Sequence, residues 1–353
     1  MVLAPIQVIE CSGTPRQMGQ QYGEQAREAI HHNAELFSRA WHEEEHLGQM
    51  GAVRRVLERE LPQVVEEIEG ISEGAGIPAE RILFMNHVAT LGEDWLDECT
   101  ALAVAAGPDG PIVATNNDGG VSDQPPFATD RDSRSMYVLR RTAPDMGLPM
   151  VQVTYSGWLS GLDAMNAAGL ANMHGSVGSR FDKSGPRVDV RLWIYHLMST
   201  CSTTREFIEG MFRGNLTGKG FSIAVGDRSG DTAIVEAAVP LVACRDRCRQ
   251  FVYSTNLYAS EALRDADMRS ADSKPICHYR TGYLRWIEEN SPPRSLVDMQ
   301  KLLSSHAPWA PCRHGGPDLS HTEWSAIALP KSNRLLVSNG PPCQAEYQQF
   351  EVG

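Results

Sequence analysis

No stretch of this sequence approaches the roughly 18 consecutive apolar residues that a membrane-spanning helix needs. The opening Met1-Val2-Leu3-Ala4-Pro5 carries no basic patch, and no apolar run of secretory length follows it. The expectation is a protein of the cytoplasm, away from membranes, with reduced thiols. Positive charge is scarce as well: 32 Lys and Arg stand against 44 Asp and Glu, a net charge of −12. That balance argues against nucleic acid as a partner. Glycine-rich phosphate loops are missing. Gly157-Trp158-Leu159-Ser160-Gly161 lacks the lysine and the strand–helix setting, and it is no serine-hydrolase elbow.

Paired metal-ligand spacings are missing too. Cys244 and Cys248 sit among Arg245, Arg247 and Arg249, and no second pair follows at structural-zinc spacing. His306, Cys312, His314 and His321 are loosely grouped around Pro308-Trp309-Ala310-Pro311 and read as a loop near a pocket. A metal-assisted hydrolase built on them is the weaker alternative. The expectation is no metal and no cofactor. The His31-His32 pair reads as a solvated helix face. Internal repeats and low-complexity tracts are absent.

What is present is an ordinary core-forming composition: 42% hydrophobic residues over 353 positions, with a mean hydropathy of −0.31. The length suits one large domain or two medium ones. A short strand is expected over residues 5–10. Thr14 and Pro15 look like an N-cap and first helical residue, opening a helix from about Arg16 to Trp41. Apolar residues recur at helical spacing from Met50 to about Glu73, and Pro62 should kink or divide that stretch. Gly74-Ala75-Gly76 ends it, and Pro78 starts another helix reaching about Leu91.

The texture changes at Cys99. Short strand-like runs follow, separated by turn residues, with helices returning near Val188–Cys201, Thr203–Arg213 and Ser295–Ser304. Residues 120–135 read as a long exposed loop. Helices first, then many strands with helices between them, describe an α+β protein.

The informative segment surrounds Cys99. Pro108-Asp109-Gly110 suits a hairpin loop, and a pairing of Gly107 near Pro111 would set Cys99 opposite position 118 or 119. Residues opposite one another on a hairpin share a face, so Asp118 is expected within about one residue of facing Cys99. Read alone, Cys99 is more simply a small buried residue, and Asp118 and Asn256 are more simply turn residues.

The segments Glu98-Cys99-Thr100-Ala101 and Asn116-Asn117-Asp118 resemble the penicillin acyltransferase-like group of N-terminal-nucleophile hydrolases, which is related to the choloylglycine hydrolases. Gly13–Gly19, Glu66–Gly76, Asp163–Leu170, Ser254-Thr255-Asn256, Trp324-Ser325 and Gly340–Cys343 are similar to further family segments, in the same order. Ala164 replaces the family's usual Gly. Thr115 stands where the bile-salt branch has Arg, and Ser176 where it has Asn, which favours the acyltransferase-like branch.

The resemblance implies a four-layer αββα sandwich of two antiparallel sheets between helical layers. It also implies self-cleavage between Glu98 and Cys99. The helical segment 1–98 and the nucleophile-bearing segment 99–353 would then stay associated as one globular domain, with a homo-oligomer as a further expectation. Cys99 would be nucleophile and, through its new α-amine, base. Asp118 would orient that amine, and Asn256 would donate to the oxyanion. Asn116, Asn117, Tyr155 and His174 are second-tier candidates for orientation or pocket lining. The substrate implied is a small N-acyl amide, with a CoA thioester as a candidate acyl donor. The alternative is a scaffold or binding protein that kept the fold without the chemistry.

Overall fold

The computed structural model describes residues 5–38, 41–87, 99–120, 136–181, 185, 187–268, 274–314 and 320–353. Glu98 and most of the segment expected as an exposed loop lie outside them. The chain opens with β1 (Val8–Gly13), then α1 (Pro15–Gln25), α2 (Arg27–Ser38), α3 (Glu43–Glu60), α4 (Pro62–Ala75) and α5 (Ala79–His87). Strands β2 (Thr100–Val104), β3 (Ile112–Gly120), β4 (Tyr137–Pro144), β5 (Met150–Tyr155), β6 (Ala164–Asn166), β7 (Ala171–Val177) and β8 (Val188–Asp189) follow. Next come α6 (Val190–Thr200), α7 (Thr204–Arg213), β9 (Leu216–Thr217), β10 (Gly220–Gly226), β11 (Thr232–Ala238), β12 (Leu241–Arg245) and β13 (Phe251–Ser254). The chain closes with α8 (Pro275–Asn290), α9 (Leu296–Leu303), β14 (Ser320–Leu329), β15 (Arg334–Asn339) and β16 (Gln348–Glu351).

Local chemistry accounts for the boundaries. Thr14 caps α1 in a reciprocal box with Gln17, and Pro15 occupies the first turn. The long helix expected from Arg16 to Trp41 is broken at Ala26, whose φ of −107° and ψ of 18° leave helical geometry. Pro62 divides the next stretch, because its ring cannot continue α3 but fits the first turn of α4. Gly76 ends α4 in the left-handed conformation. Helices α1 and α4 meet backbone to backbone: a methyl on Gly19 would lie 2.1 Å from Glu67 O, and one on Gly70 would lie 2.1 Å from Arg16 O.

Two large sheets organise the rest. One has eight strands in the order β1-β4-β5-β6-β7-β10-β11-β12, and the other six in the order β13-β2-β3-β14-β15-β16. Pairing is antiparallel except that β1 runs parallel to β4, so the larger sheet is mixed. Apolar side chains of both sheets, including Ala101, Ala103, Val113, Met173, Ala224 and Trp324, fill the space between them. Helices α1–α7 pack on the outer face of the larger sheet in a second core that runs from Ile9 to Val239. Helices α8 and α9 cover the outer face of the smaller sheet through Leu284, Ile287, Met299 and Leu303. The layers are therefore helix, sheet, sheet, helix. Each fully buried Leu, Ile or Val contributes about 1.5–3 kcal/mol through removal from water.

One polar cluster interrupts the helical side of the larger sheet. Arg140 on β4 is fully buried and ion-pairs with Glu67 of α4. Tyr195 of α6 donates to both Glu67 carboxylate oxygens at 3.0 Å, and the Arg140 guanidinium lies 4.6 Å from the Tyr22 ring centroid. Burial pushes the Tyr22 and Tyr195 phenols up, so both remain neutral donors.

Candidate active site

Cys99 stands one residue before β2 and is buried. In the β2–β3 hairpin Thr100 faces Asn116 and Val104 faces Ile112. Continuing that register by one residue sets Cys99 opposite Asn117. The partner expected from the count, position 118 or 119, is one or two residues too far, so Asp118 falls within the one residue expected of it, and the turn explains the offset. Ala105 leaves the hairpin to donate to Gln250 O at 2.9 Å, and the reversal is made by Gly107–Gly110, closed by a 3.0 Å bond. Asp118 still reaches the thiol, through its main-chain carbonyl: Cys99 Sγ donates to it at 3.7 Å. The buried Asp118 carboxylate accepts from Thr322 Oγ1 at 2.7 Å.

The other neighbour of β2 brings Asn256. Ser254 faces Ala101, and the same register, continued by two residues, sets Asn256 opposite Cys99. The Asn256 amide is buried and donates one N–H to Ser176 O of β7 at 2.8 Å. Its main-chain carbonyl accepts from the buried Lys274 at 2.9 Å, and Lys274 is in turn ion-paired with Asp267. Cys99 thus lies between two asparagines on one rung of the smaller sheet.

The second-tier residues divide by face. Adjacent strand residues point to opposite sides. Asn117 turns inward, donating to Asp163 Oδ2 at 3.5 Å. Asn116 turns outward and donates to Leu303 O of α9 at 2.9 Å, so it does not join the group around Cys99. His174 bonds Asp163 Oδ1 through Nδ1 at 2.8 Å and through its backbone N–H at 3.2 Å. Tyr155 donates to Glu323 Oε2 at 2.7 Å, with its ring 5.6 Å from that of Trp324.

Three residues near this group were not singled out from the sequence. Asp163, fully buried at a left-handed φ of 51°, collects Asn117, His174 and Trp324 Nε1, the last at 3.0 Å. Strain of this kind persists where the surroundings hold it. Glu323 sits at the irregularity where β14 shifts register against β3. Arg280 of α8 is fully buried, and its guanidinium donates to Cys99 O at 3.1 Å. The only sequence signal for Arg280 was its position between Cys277 and Leu284 on one helical face.

A cavity of about 620 Å³ is lined by Thr255 and Leu257, the residues on either side of Asn256 in the chain. Thr255, Tyr258, Lys274, Thr281, Arg285 and Glu288 are among its walls. Among the described residues, no helix is long and apolar enough to cross a membrane.

The layers define an α+β sandwich, helix on sheet on sheet on helix, as expected. No protein-family model matches the chain, and no curated protein sequence matches it. Among solved structures, it is similar to a mutant conjugated bile acid hydrolase from Clostridium perfringens, at 10% identity and a TM-score of 0.43, over 72% of this chain and 97% of that one. Penicillin V acylase from Agrobacterium tumefaciens is similar at 14% identity and a TM-score of 0.40, over 68% and 83%. An N-acylethanolamine-hydrolyzing acid amidase ortholog from Caenorhabditis elegans is similar at 11% identity and a TM-score of 0.42, over 66% and 93%. The fold class rests on the layers themselves.

Proposed function

We propose that this chain is a self-cleaving N-terminal cysteine hydrolase of small linear amides. The observation that carries this reading is the rung of the smaller sheet: Cys99 between Asn117 and Asn256, with its thiol 3.7 Å from Asp118 O. A buried thiol that served only packing would need no such set of polar neighbours.

In the maturation step, Cys99 Sγ attacks the carbonyl carbon of Glu98. The Glu98–Cys99 C–N bond breaks, its nitrogen takes a proton and becomes the α-amine, and a thioester forms. Water cleaves the thioester, leaving the Glu98 carboxylate and the free Cys99 thiol. The α-amine has a reference pKa of about 7.7–8.0, so near neutral pH a usable fraction is an unprotonated base. The Asp118 carboxylate, braced by Thr322, accepts a hydrogen bond from this amine.

In turnover, the amine takes the thiol proton as sulfur attacks the substrate carbonyl. Asn256 has two N–H bonds on one nitrogen; Ser176 O holds one, and the other serves the oxyanion. One such donor contributes about 3–4 kcal/mol to the transition state. The amine returns its proton to the leaving nitrogen, an acyl-Cys99 thioester remains, and water resolves it. Arg280 positions Cys99 by holding its carbonyl.

An amine in place of water would turn the same intermediate toward acyl transfer. The test is to quench the processed protein with a slow N-acyl substrate and map the adduct. An acyl mass on the peptide that begins at Cys99 is expected. Turnover with no adduct there, together with full activity in Cys99→Ser, would overturn the proposal. Adding a primary amine then separates transfer from hydrolysis by the product formed.

A further inference from the structure

Beside β14, the chain gathers four metal-ligating side chains that the amide chemistry does not use. His306, Cys312, His314 and Cys343 place one ligand atom each within 4.8 Å of one another. His314 Nε2 lies 3.0 Å from His306 Nε2, 3.1 Å from Cys343 Sγ and 3.5 Å from Cys312 Sγ. The two sulfurs are 3.6 Å apart. A tetrahedral zinc ion with bonds of about 2.3 Å to sulfur and 2.0–2.1 Å to nitrogen spaces its ligands by about 3.3–3.8 Å. Four of the six separations, 3.0–3.6 Å, lie close to that range, and the other two are within 4.8 Å.

We propose that these four residues form a structural site for a thiophilic divalent cation of the zinc type. Two thiolates and two neutral imidazoles cancel the charge of the ion, and binding releases the two thiol protons to solvent. All four ligands come from the protein, which leaves no open position for catalysis. The expectation of a metal-free loop at 306–321 is revised because the fourth ligand is Cys343, in the turn after β15, and not His321. His321 instead makes a backbone bridge with His314.

The placement gives the ion work to do. Arg313, between two of the ligands, donates its backbone N–H to Thr322 Oγ1 at 3.1 Å and accepts from Thr322 N at 3.1 Å. Thr322 Oγ1 donates to the Asp118 carboxylate. The ion therefore ties the loop before β14 to the turn after β15, one relay from Asp118. This last link alone rests on the role proposed for Asp118.

The test uses the full chain expressed with zinc and purified under reductant. About one zinc per chain is expected, together with the visible ligand-field bands of tetrahedral thiolate coordination after exchange to cobalt(II). Cys343→Ser and His306→Ala, both at exposed positions, should lose the metal while keeping the far-ultraviolet circular dichroism of the wild type. Chelation should lower the Tm of the wild type but not of these variants. Wild-type protein that holds no zinc and gives no cobalt bands would overturn the site, as would variants with wild-type metal content. Cys99→Ala should bind the metal as the wild type does, so failure of the amide-hydrolase reading would leave this outcome unchanged.

Discussion

The two sheets bury two polar groups of comparable size, and they are built on different terms. On the larger sheet, Arg140 and Tyr195 converge on Glu67 beneath the helical layer, with the Tyr22 ring against the guanidinium. Full charges meet there, and the one thiol beside them, Cys11 on β1, is buried in mid-strand with its pKa raised by burial. On the smaller sheet, Cys99, Asn117, Asp118 and Asn256 gather where the β2 ladders end, and their partners are two main-chain carbonyls, a hydroxyl and the Asp163 carboxylate. Burial of polar groups therefore does not by itself mark a site. A reactive group set at the end of a ladder, between neutral donors, does.

If that contrast holds, substitutions in the two places should fail differently. The largest effect is expected at Cys99: Cys99→Ala should abolish both self-cleavage and turnover, with the Tm close to that of an uncut chain. Intact-mass analysis and calorimetry check this together.

Next comes the larger-sheet cluster. Glu67→Gln leaves Arg140 buried without its counter-ion and should cost about 3–5 kcal/mol of stability, read by denaturant unfolding. Replacing both partners with apolar residues should recover much of that loss. Any folded protein from either variant should turn over at near wild-type rate.

Asn256→Ala should behave in the opposite way. It should lower kcat by about 10²–10³-fold, with KM little changed. A large rise in KM with kcat preserved would remove Asn256 from the oxyanion.

The smallest expected effect is a pH dependence. Burial lowers the pKa of His87 and of His196 below the ordinary imidazole value of about 6.5. The unfolded chain therefore binds protons that the native state resists, and stability present above about 6.5 is lost as pH falls toward the folded values. His87→Leu should flatten that slope in a series of Tm measurements, without touching the amide chemistry.

Much of this contrast was legible in the sequence, and the part that was not has physical reasons. The Thr14-Pro15 cap and the Pro62 break depend on neighbours a few residues away, and they appear where expected. The β2–β3 hairpin was recognisable, but its register rests on where pairing stops. That point is set by Ala105 bonding to distant Gln250, so the count ran one or two residues too far, with Asp118 still within the one residue expected of it. Helix α8 was not expected. Its buried residues Cys277, Arg280, Leu284 and Ile287 have helical spacing, but one of them is an arginine, and hydrophobic periodicity counts it as surface. Cys343 could not be joined to His306, Cys312 and His314 by spacing, since β14 and β15 lie between them. Asp163 was visible as part of a motif, while its role as a hub needs both sheets in place.

The claim at the centre is that Cys99 becomes an amino terminus. Edman sequencing with intact mass analysis of the purified, active protein tests it directly. The account predicts two associated chains, the larger beginning Cys-Thr-Ala-Leu, and a single uncut chain from Cys99→Ala. A single full-length chain with full amide-hydrolase activity would contradict it.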